Sequence, residues 1–596
     1  MYLDKRDNNG QFLSFLAFPT SLEIAEDGVR IFSKSKVFHI LTELLPKELT
    51  LLLFKKLIFE EVFTTSSKLL IRKHEKSKIK IIETNFELIN ILKNNKNFSN
   101  FTFIKKEKLN YKILRKYLSN FLWKNYNFLT LLSNIFCLDK DKIKKNGNKI
   151  AVNFLEDIDL KKRSNFFWYD KKKFSEKIII YSENSYRLKK RIKNKKKFFN
   201  KLEDMGINFL NLYNLKNFKK NKKFDEIRKK LTDLPVNREE KYFKKNALIF
   251  LSKIQYMYNF FKINKIKVHL NFEESGDSNI LRQIAIQLND GCSFGGTRSY
   301  PTQIEGDFLG FHPNDIFFAW GEESARRISK TENLIKKIVI TGDHYPKIDI
   351  EKEKKIKEKI SKLKRNNIKF LILVLDSSFS ENKNYTWQLI YREKMDKFFK
   401  ELLSLNKIDP EIGFIFKSKK KDNLKPLSEV YEKIKNLEKN NQCIFLNERN
   451  ELPSHYSSFA NITVSISPHI QGALFHCLIN NKNFRGVIYD DSNLKHIEKD
   501  LYYVGENKLV FRDLGLMIKK IRNFKTNYKN EPELGKWNEP EKHDPFMDGE
   551  GGKRVGNFVS NLISFYDEGF STNVVIEKTI NNYIYNYNKD KIYDKK

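Results

Sequence analysis

A chain of 596 residues exceeds what one hydrophobic core supports, and its 40% hydrophobic and 14% aromatic side chains exclude wholesale disorder, so two or more folded domains are expected. The net charge of +38 is spread along the chain, is carried mainly by lysine, and accompanies abundant Asn, Ile and Phe; this is the signature of A+T-rich coding rather than of a nucleic-acid groove, and no specific nucleic-acid partner is expected. The four cysteines, Cys137, Cys292, Cys443 and Cys477, lie too far apart for a zinc cluster or a disulfide framework, so no metal site is expected.

Charges in Met1–Asp7 occupy the place where a secretory signal needs an apolar run. The apolar stretch Leu44–Phe59 is interrupted by Pro46, Lys47, Glu48, Lys55 and Lys56 and is too polar to span a bilayer. A cytoplasmic location follows. The lysine runs Lys193–Lys197 and Lys417–Lys421 would favour peripheral contact with anionic lipid at the inner face of the plasma membrane, each charge contributing about 1 kcal/mol there.

In chain order, Ile79–Ile82 and Phe101–Ile104 are weak strand signals in a segment, 1–149, that reads as α/β or mostly helical material attached to the first half. Stronger apolar runs follow at Ile150–Phe154, Ile178–Tyr181, Ile207–Leu210, Ile266–Leu270 and Asp315–Trp320, with charged helical stretches between them. Lys337–Gly342 is a strand stopped by glycine, and Asp343–Pro346 is a turn; a domain boundary is placed here, giving a first domain over 1–342.

A second domain over 343–535 alternates strands and helices: Phe370–Leu375, a helix over Trp387–Leu405, Ile412–Phe416, a helix over Leu427–Leu437, Cys443–Leu446, a helix over Leu452–Phe459, Ile462–Ile466, a helix over Ile470–Ile479, and Gly486–Tyr489. Five strands with four crossovers imply a doubly wound sheet. In the remaining segment, 536–596, Val555, Phe558, Val559, Leu562, Ile563 and Tyr566 fall on one helix face, which needs an apolar surface to cover; Tyr583–Lys596 is polar and expected to fray.

The sharpest local signal for chemistry is Thr463–Gly472. Ser467 is a favoured N-cap, Pro468 suits the first helical position, and the strand before them brings this helix start to a carboxyl edge, where open α/β sheets bind ligands. Backbone N–H groups of His469, Ile470 and Gln471 would suit a diphosphate, and Gly472 would admit close approach; a merely well-capped helix fits the same residues. Lys417 and Lys419, at the end of another strand, would face the same crevice.

Gly291–Pro301 is a glycine-rich loop matching neither dinucleotide nor P-loop spacing; with Gly295 and Gly296 forming a tight turn, Arg298 and Ser299 could grip an anionic acceptor, although a plain turn explains it equally. Candidates for a general base are Glu273, Glu274 and Asp277 after the Ile266 strand, and His344 in the boundary turn. Spacing does not choose among them.

The ordered set Ile150–Asp157, Lys162–Asn165 with Phe167–Trp168, Gly295–Tyr300, Phe317–Gly321 and Ile338–Gly342 resembles bacterial surface-carbohydrate (surface polysaccharide) biosynthesis proteins, which are similar to GT-B glycosyltransferases and to the polyol-phosphate transferases of cell-wall polymers. The resemblance covers roughly residues 150 to 566. It implies that Lys417 and Lys419 contact the donor phosphates, that Arg298 and Ser299 belong to an Arg-Ser-Tyr element, and that Asp548, Gly551, Lys553, Arg554, Val555 and Gly556 form the closing segment before a last helix that packs back on the first domain. One departure stands out: many GT-B relatives carry Glu-Ala-Leu at the donor helix, whereas this chain has Gly472, Ala473 and Leu474.

The expectation is therefore an α/β chain of GT-B type, with two facing Rossmann-like domains and a C-terminal crossing helix. The resemblance implies transfer of sugar from a nucleotide-activated donor to a surface-polysaccharide or lipid-linked glycan acceptor, with no cofactor and no metal. Alternatives are a phosphotransferase using a CDP-polyol donor with His469 or His344 as catalytic histidine, an inactive GT-B scaffold in polysaccharide assembly, and a basic nucleic-acid-binding protein.

Overall fold

The computed structural model describes residues 13–74, 81–84, 88–94, 101–105, 147–153, 167–182, 195–211, 220–271, 278–296, 310–344, 350–379, 390–419, 421–447, 452–466, 472–481, 483–491, 505–537 and 539–593. Long helices Leu13–Ser33 and Lys47–His74 pack along each other near the start of the chain, followed by two short parallel strands, β1 (Ile81–Thr84) and β2 (Thr102–Lys105).

The first large sheet contains β3 (Lys149–Asn153), β4 (Ile178–Ser182), β5 (Asn208–Asn211), β6 (Ile266–Asn271), β7 (Cys292–Gly296), β8 (Ile316–Ala319) and β9 (Lys337–Ile340). The second contains β10 (Phe370–Leu375), β11 (Ile412–Lys417), β12 (Cys443–Leu446), β13 (Ile462–Ile466), β14 (Gly486–Tyr489) and β15 (Val510–Phe511), while β16 (Ile592–Tyr593) returns to the first sheet. The first sheet is ordered β16-β9-β8-β7-β6-β3-β4-β5, and the second β12-β11-β10-β13-β14-β15. Every described pairing within them is parallel except that of β16 with β9. Each sheet runs outward from its first strand and then reverses to the other side, which is the doubly wound order.

Strands this apolar are stable only if covered on both faces. In β10, Phe370, Ile372 and Val374 enter one core, and Leu371, Leu373 and Leu375 the opposite one. In the first sheet, Ile179 and Tyr181 face the layer built from the N-terminal helices with Arg238–Ile263 and Ser278–Gln287. Ile178 and Ile180 face the other way, toward helices Gly551–Asp567 and Thr572–Tyr587. The apolar stripe Val555, Phe558, Val559, Leu562, Ile563 and Tyr566 lies buried on that second face beside Val152, Phe294, Ile316 and Phe318. At 1.5–3 kcal/mol per buried side chain, the stripe contributes on the order of 10 kcal/mol. The chain thus has two Rossmann-like domains with a C-terminal helix returning to the first, the GT-B arrangement.

Several sequence expectations change. Cys292–Gly296, expected as part of a glycine-rich loop, is a buried strand, with Gly295 and Gly296 paired to Phe317 and Phe318. The second sheet has a sixth strand, Val510–Phe511, too short to show as an apolar run. The helix expected over Leu452–Phe459 is one turn, Ser454–Ser457, and the helix expected from Trp387 is described from Arg392 to Ile408. The tail expected to fray is ordered through Tyr593: Tyr583 is buried and its hydroxyl donates to the Ile340 carbonyl at 2.7 Å, and Ile592 and Tyr593 pair with Val339 and Ile338. Its composition is polar, but the pairing of β16 with β9 and the Tyr583 hydrogen bond tie it to the sheet edge.

Gly556 lies on the crossing helix where that helix touches the Trp168 backbone, and a Cβ there would sit 2.4 Å from the Trp168 carbonyl oxygen. Helix propensity alone favours alanine over glycine by about 1 kcal/mol. Gly556→Ala is nevertheless expected to destabilise the fold by about 1–3 kcal/mol because rigid backbone must move. A denaturant midpoint equal to or above that of wild type would refute this close approach.

Candidate functional site

In the second sheet β10 lies between β11 and β13, so the connections leaving β10 and β13 part in opposite directions. The cleft at their carboxyl ends is where such sheets bind ligands. Asp376 is the first residue past β10, and Lys417, paired with Leu375, is the last of β11.

Asp376 is buried, yet both carboxylate oxygens are engaged by the turn after β11. One accepts from the Lys419 backbone N–H, and the other from the Asn423 amide at 2.7 Å. Asn423 also donates to the Ser377 carbonyl at 3.0 Å. Lys417 is buried, its ammonium donating to the Ser418 carbonyl, whereas the Lys419 side chain is exposed. The two lysines expected to meet phosphate therefore stand at the carboxyl end of β11, beside β10 and one strand from the switch point. Sequence reasoning missed Asp376 and Asn423, for which the only signal was an acidic residue directly after a buried strand.

The helix after β13 is described from Gly472 to Asn480, and Gly472 is half-buried. Ser467, Pro468, His469, Ile470 and Gln471 lie outside the described residues. With glycine at its first described position, the helix carries no carboxylate there.

The first sheet has its own switch point between β3 and β6, which end at Asn153 and Asn271. Glu273, Glu274 and Asp277 fall in the segment from β6 to the helix beginning at Ser278 and lie outside the described residues, as do Arg298 and Ser299 after β7. Near the same edge, Arg282 is buried and donates to the Asn279 side chain at 3.1 Å. His269, within β6, is buried 2.7 Å from the Tyr181 hydroxyl; burial, aided by the Arg282 charge, holds the ring well below the usual histidine pKa and hence neutral.

Between the sheets, Thr341–His344 leaves β9 and meets the helix Gly472–Asn480. Asp343 is buried and its carboxylate lies 2.9 Å from Nδ1 of His476, in the helix after β13. Trp320, just past β8, packs on His476 at 4.7 Å between ring centroids. The Asp343 N–H donates to Asp544 at 2.9 Å, and the Arg554 guanidinium donates to the Thr341 carbonyl and to Asp548 while stacking on Phe546 at 3.6 Å. His344 stacks on Phe167 with centroids 4.4 Å apart and lies 3.1 Å from the Thr341 hydroxyl. Burial lowers its pKa to about 4, so its ring is neutral at pH 7. The carboxyl edge of β8 and β9 is thus pinned to the helix that starts beside the second sheet's switch point.

Among the described residues no cluster of His, Cys, Asp and Glu could hold a metal ion, and no helix is long and apolar enough to cross a membrane. No family model and no curated protein matches this sequence. Solved structures with a similar fold include Staphylococcus aureus MnaA with UDP, at 12% identity over 70% of this chain and 97% of that one with a TM-score of 0.37. Anabaena HepE in complex with UDP and glucose matches at 9% identity over 73% of this chain and 100% of that one, with a TM-score of 0.35. A glycosyltransferase from Rickettsia africae matches at 11% identity over 74% and 98%, with a TM-score of 0.35. At such TM-scores the likenesses add nothing to what the strand order establishes.

Burial pushes the Asp376 carboxyl up to about 6, against the pull of Asn423, the Lys419 N–H and the two lysine charges. The folded chain holds this proton more tightly than the unfolded chain does, so the contribution of this group to stability is fully present below about pH 4 and is lost as pH rises through 6. Asp376→Asn cannot ionise and is expected to gain about 2 kcal/mol over wild type between pH 4 and pH 8. Denaturation midpoints of the two proteins that stay parallel across that range would contradict the assignment.

Proposed function

We propose that this chain is a glycosyltransferase that takes a sugar from a nucleotide-activated donor and passes it to a glycan or lipid-linked glycan acceptor of surface polysaccharide. The observation that carries this reading is the pair of lysines, Lys417 and Lys419, at the carboxyl end of β11, next to β10 in a six-stranded doubly wound sheet whose connections part between β10 and β13. Cations and helix N–H groups at that place suit a diphosphate.

In this reading the donor diphosphate lies against Lys417, Lys419 and the segment Ser467–Gly472, while the acceptor approaches from the first domain, where Arg298 and Ser299, after the buried strand that holds Gly295 and Gly296, would hold it. An acceptor hydroxyl attacks the anomeric carbon, the bond from that carbon to the diphosphate oxygen breaks, and the hydroxyl proton passes to a base. Lysine and helix N–H groups stabilise the departing diphosphate, so the proposal requires no bound metal or cofactor. Of the base candidates, Glu273, Glu274 and Asp277 belong to the connection leaving β6 at the first sheet's switch point. His344 is 3% exposed and stacked, which suits a structural role in the linker.

UDP, GDP, CDP and CMP can each be added to the purified protein in thermal unfolding. At least one nucleoside diphosphate is expected to raise the unfolding temperature, as binding to the folded state alone must. Lys417→Met and Lys419→Ala are each expected to weaken that ligand about 10- to 100-fold, the loss of a charge-assisted contact. A panel in which no nucleotide shifts the transition sinks the proposal.

A further inference from the structure

We infer that Asp376 is a positioning residue: it latches the turn 418–423 to the end of β10 so that Lys417 and Lys419 are held ready for an anionic diphosphate. The inference rests on the nucleotide reading for its ligand, but the latch itself stands on geometry alone.

The turn is tied on both sides. Toward β10, Asp376 accepts from the Lys419 N–H and from Asn423, and its own N–H donates to the Lys417 carbonyl at 3.3 Å. Toward β12, the Asp422 N–H donates to the Asn447 side chain at 2.9 Å while the Asn447 amide donates back to Asp422 at 2.8 Å. Asp422 adopts a left-handed conformation with φ of 57°, so the turn departs sharply from the strand direction.

The chemistry at Asp376 is otherwise hard to explain. A buried carboxylate beside a phosphate cleft repels the proposed ligand and costs stability when ionised, and such groups gather at functional sites. Its two oxygens point into the lysine-bearing turn, so its contribution is the shape of that turn. The charged groups acting on it are Lys417, at the end of β11, and Lys419, in the turn; Asn423 and Ser377 are the neutral polar neighbours. Burial makes the folded chain as a whole favour the protonated acid, but local opening of the turn would remove both donors while leaving the carboxyl buried at the end of β10, so the closed turn favours the ionised form relative to the opened one.

Direct electrostatics and positioning predict opposite signs for one substitution. If Asp376 acts only as a nearby negative charge, Asp376→Asn should tighten diphosphate binding. If it positions the lysines, the same change should weaken binding about tenfold, the equivalent of one charge-assisted hydrogen bond. Asn423→Ala, which removes the other half of the latch and leaves the charge in place, should weaken binding in the same direction.

The experiment measures amide hydrogen exchange across 418–423 from pH 5 to pH 8 in wild type, Asp376→Asn and Asn423→Ala, with titration of UDP, GDP and CDP at each pH. In wild type the protection factor of the Lys419 amide is expected to be about fivefold higher at pH 8 than at pH 5, a difference absent in Asp376→Asn. The affinity ratio of wild type to Asp376→Asn should rise over the same range; taking the ratio cancels protonation of the nucleotide itself. Protection that ignores both pH and the substitutions, or tighter diphosphate binding by Asp376→Asn, overturns the latch. A latch that titrates in a protein binding none of the three nucleotides supports the latch and sinks the nucleotide reading.

Discussion

The structure depends on covering the second face of the first sheet. One face is sealed by helices that come before or between its own strands, including Arg238–Ile263 and Ser278–Gln287. The other is covered in part by Phe174, Leu202 and Met205, from segments between β3 and β5, and in part by Gly551–Asp567 and Thr572–Tyr587, which follow the whole second domain in the chain. A parallel sheet left bare on one side would expose Ile178, Ile180, Val268, Phe294, Ile316 and Phe318 to water. The first domain is therefore discontinuous in sequence, and the second is carried between its two parts. The connection Thr341–His344 and the closing segment around Asp544 and Arg554 must lie side by side, and they do, through hydrogen bonds from Asp343 to Asp544 and from Arg554 to the Thr341 carbonyl.

That arrangement gives the junction its rigidity. The same Asp343 that receives support from the closing segment reaches His476 in the helix after β13, and Trp320 packs on that histidine from the end of β8. One buried polar cluster thus binds the first sheet's carboxyl edge, the second sheet's helix and the returning chain. The stability gained there stands against the unfavourable ionisation of Asp376 at the neighbouring switch point, where a buried charge is tolerated beside two lysines.

Much of the architecture was legible from the sequence because buried parallel strands are continuous apolar runs. Phe370–Leu375, Ile412–Phe416 and Ile462–Ile466 announce themselves this way, and the apolar stripe from Val555 to Tyr566 already demanded a surface. Cys292–Gly296 was hidden because two glycines read as a turn, yet in a central strand they leave room for neighbours. Val510–Phe511 is two residues long, and Ile592–Tyr593 sits in polar sequence, so neither shows periodicity. Lys417 and Lys419 could be found because they adjoin a recognisable strand end. Asp376, Asn423 and the Asp343–His476 pair could not, since their meaning lies in partners 43, 47 and 133 residues away. Ser467–Gln471, the sharpest local signal, lies outside the described residues.

The discontinuous first domain also sets a schedule for the ribosome. When β9 has been made, the first sheet is complete except for its edge strand, but two of the helices that shield its second face begin only at Gly551 and Thr572. Throughout synthesis of the second domain, a nascent chain carries an apolar sheet face covered only in part, by Phe174, Leu202 and Met205, while that second domain can fold as a continuous unit. Chaperone engagement should accordingly be longest in this interval, and release should coincide with arrival of the crossing helix.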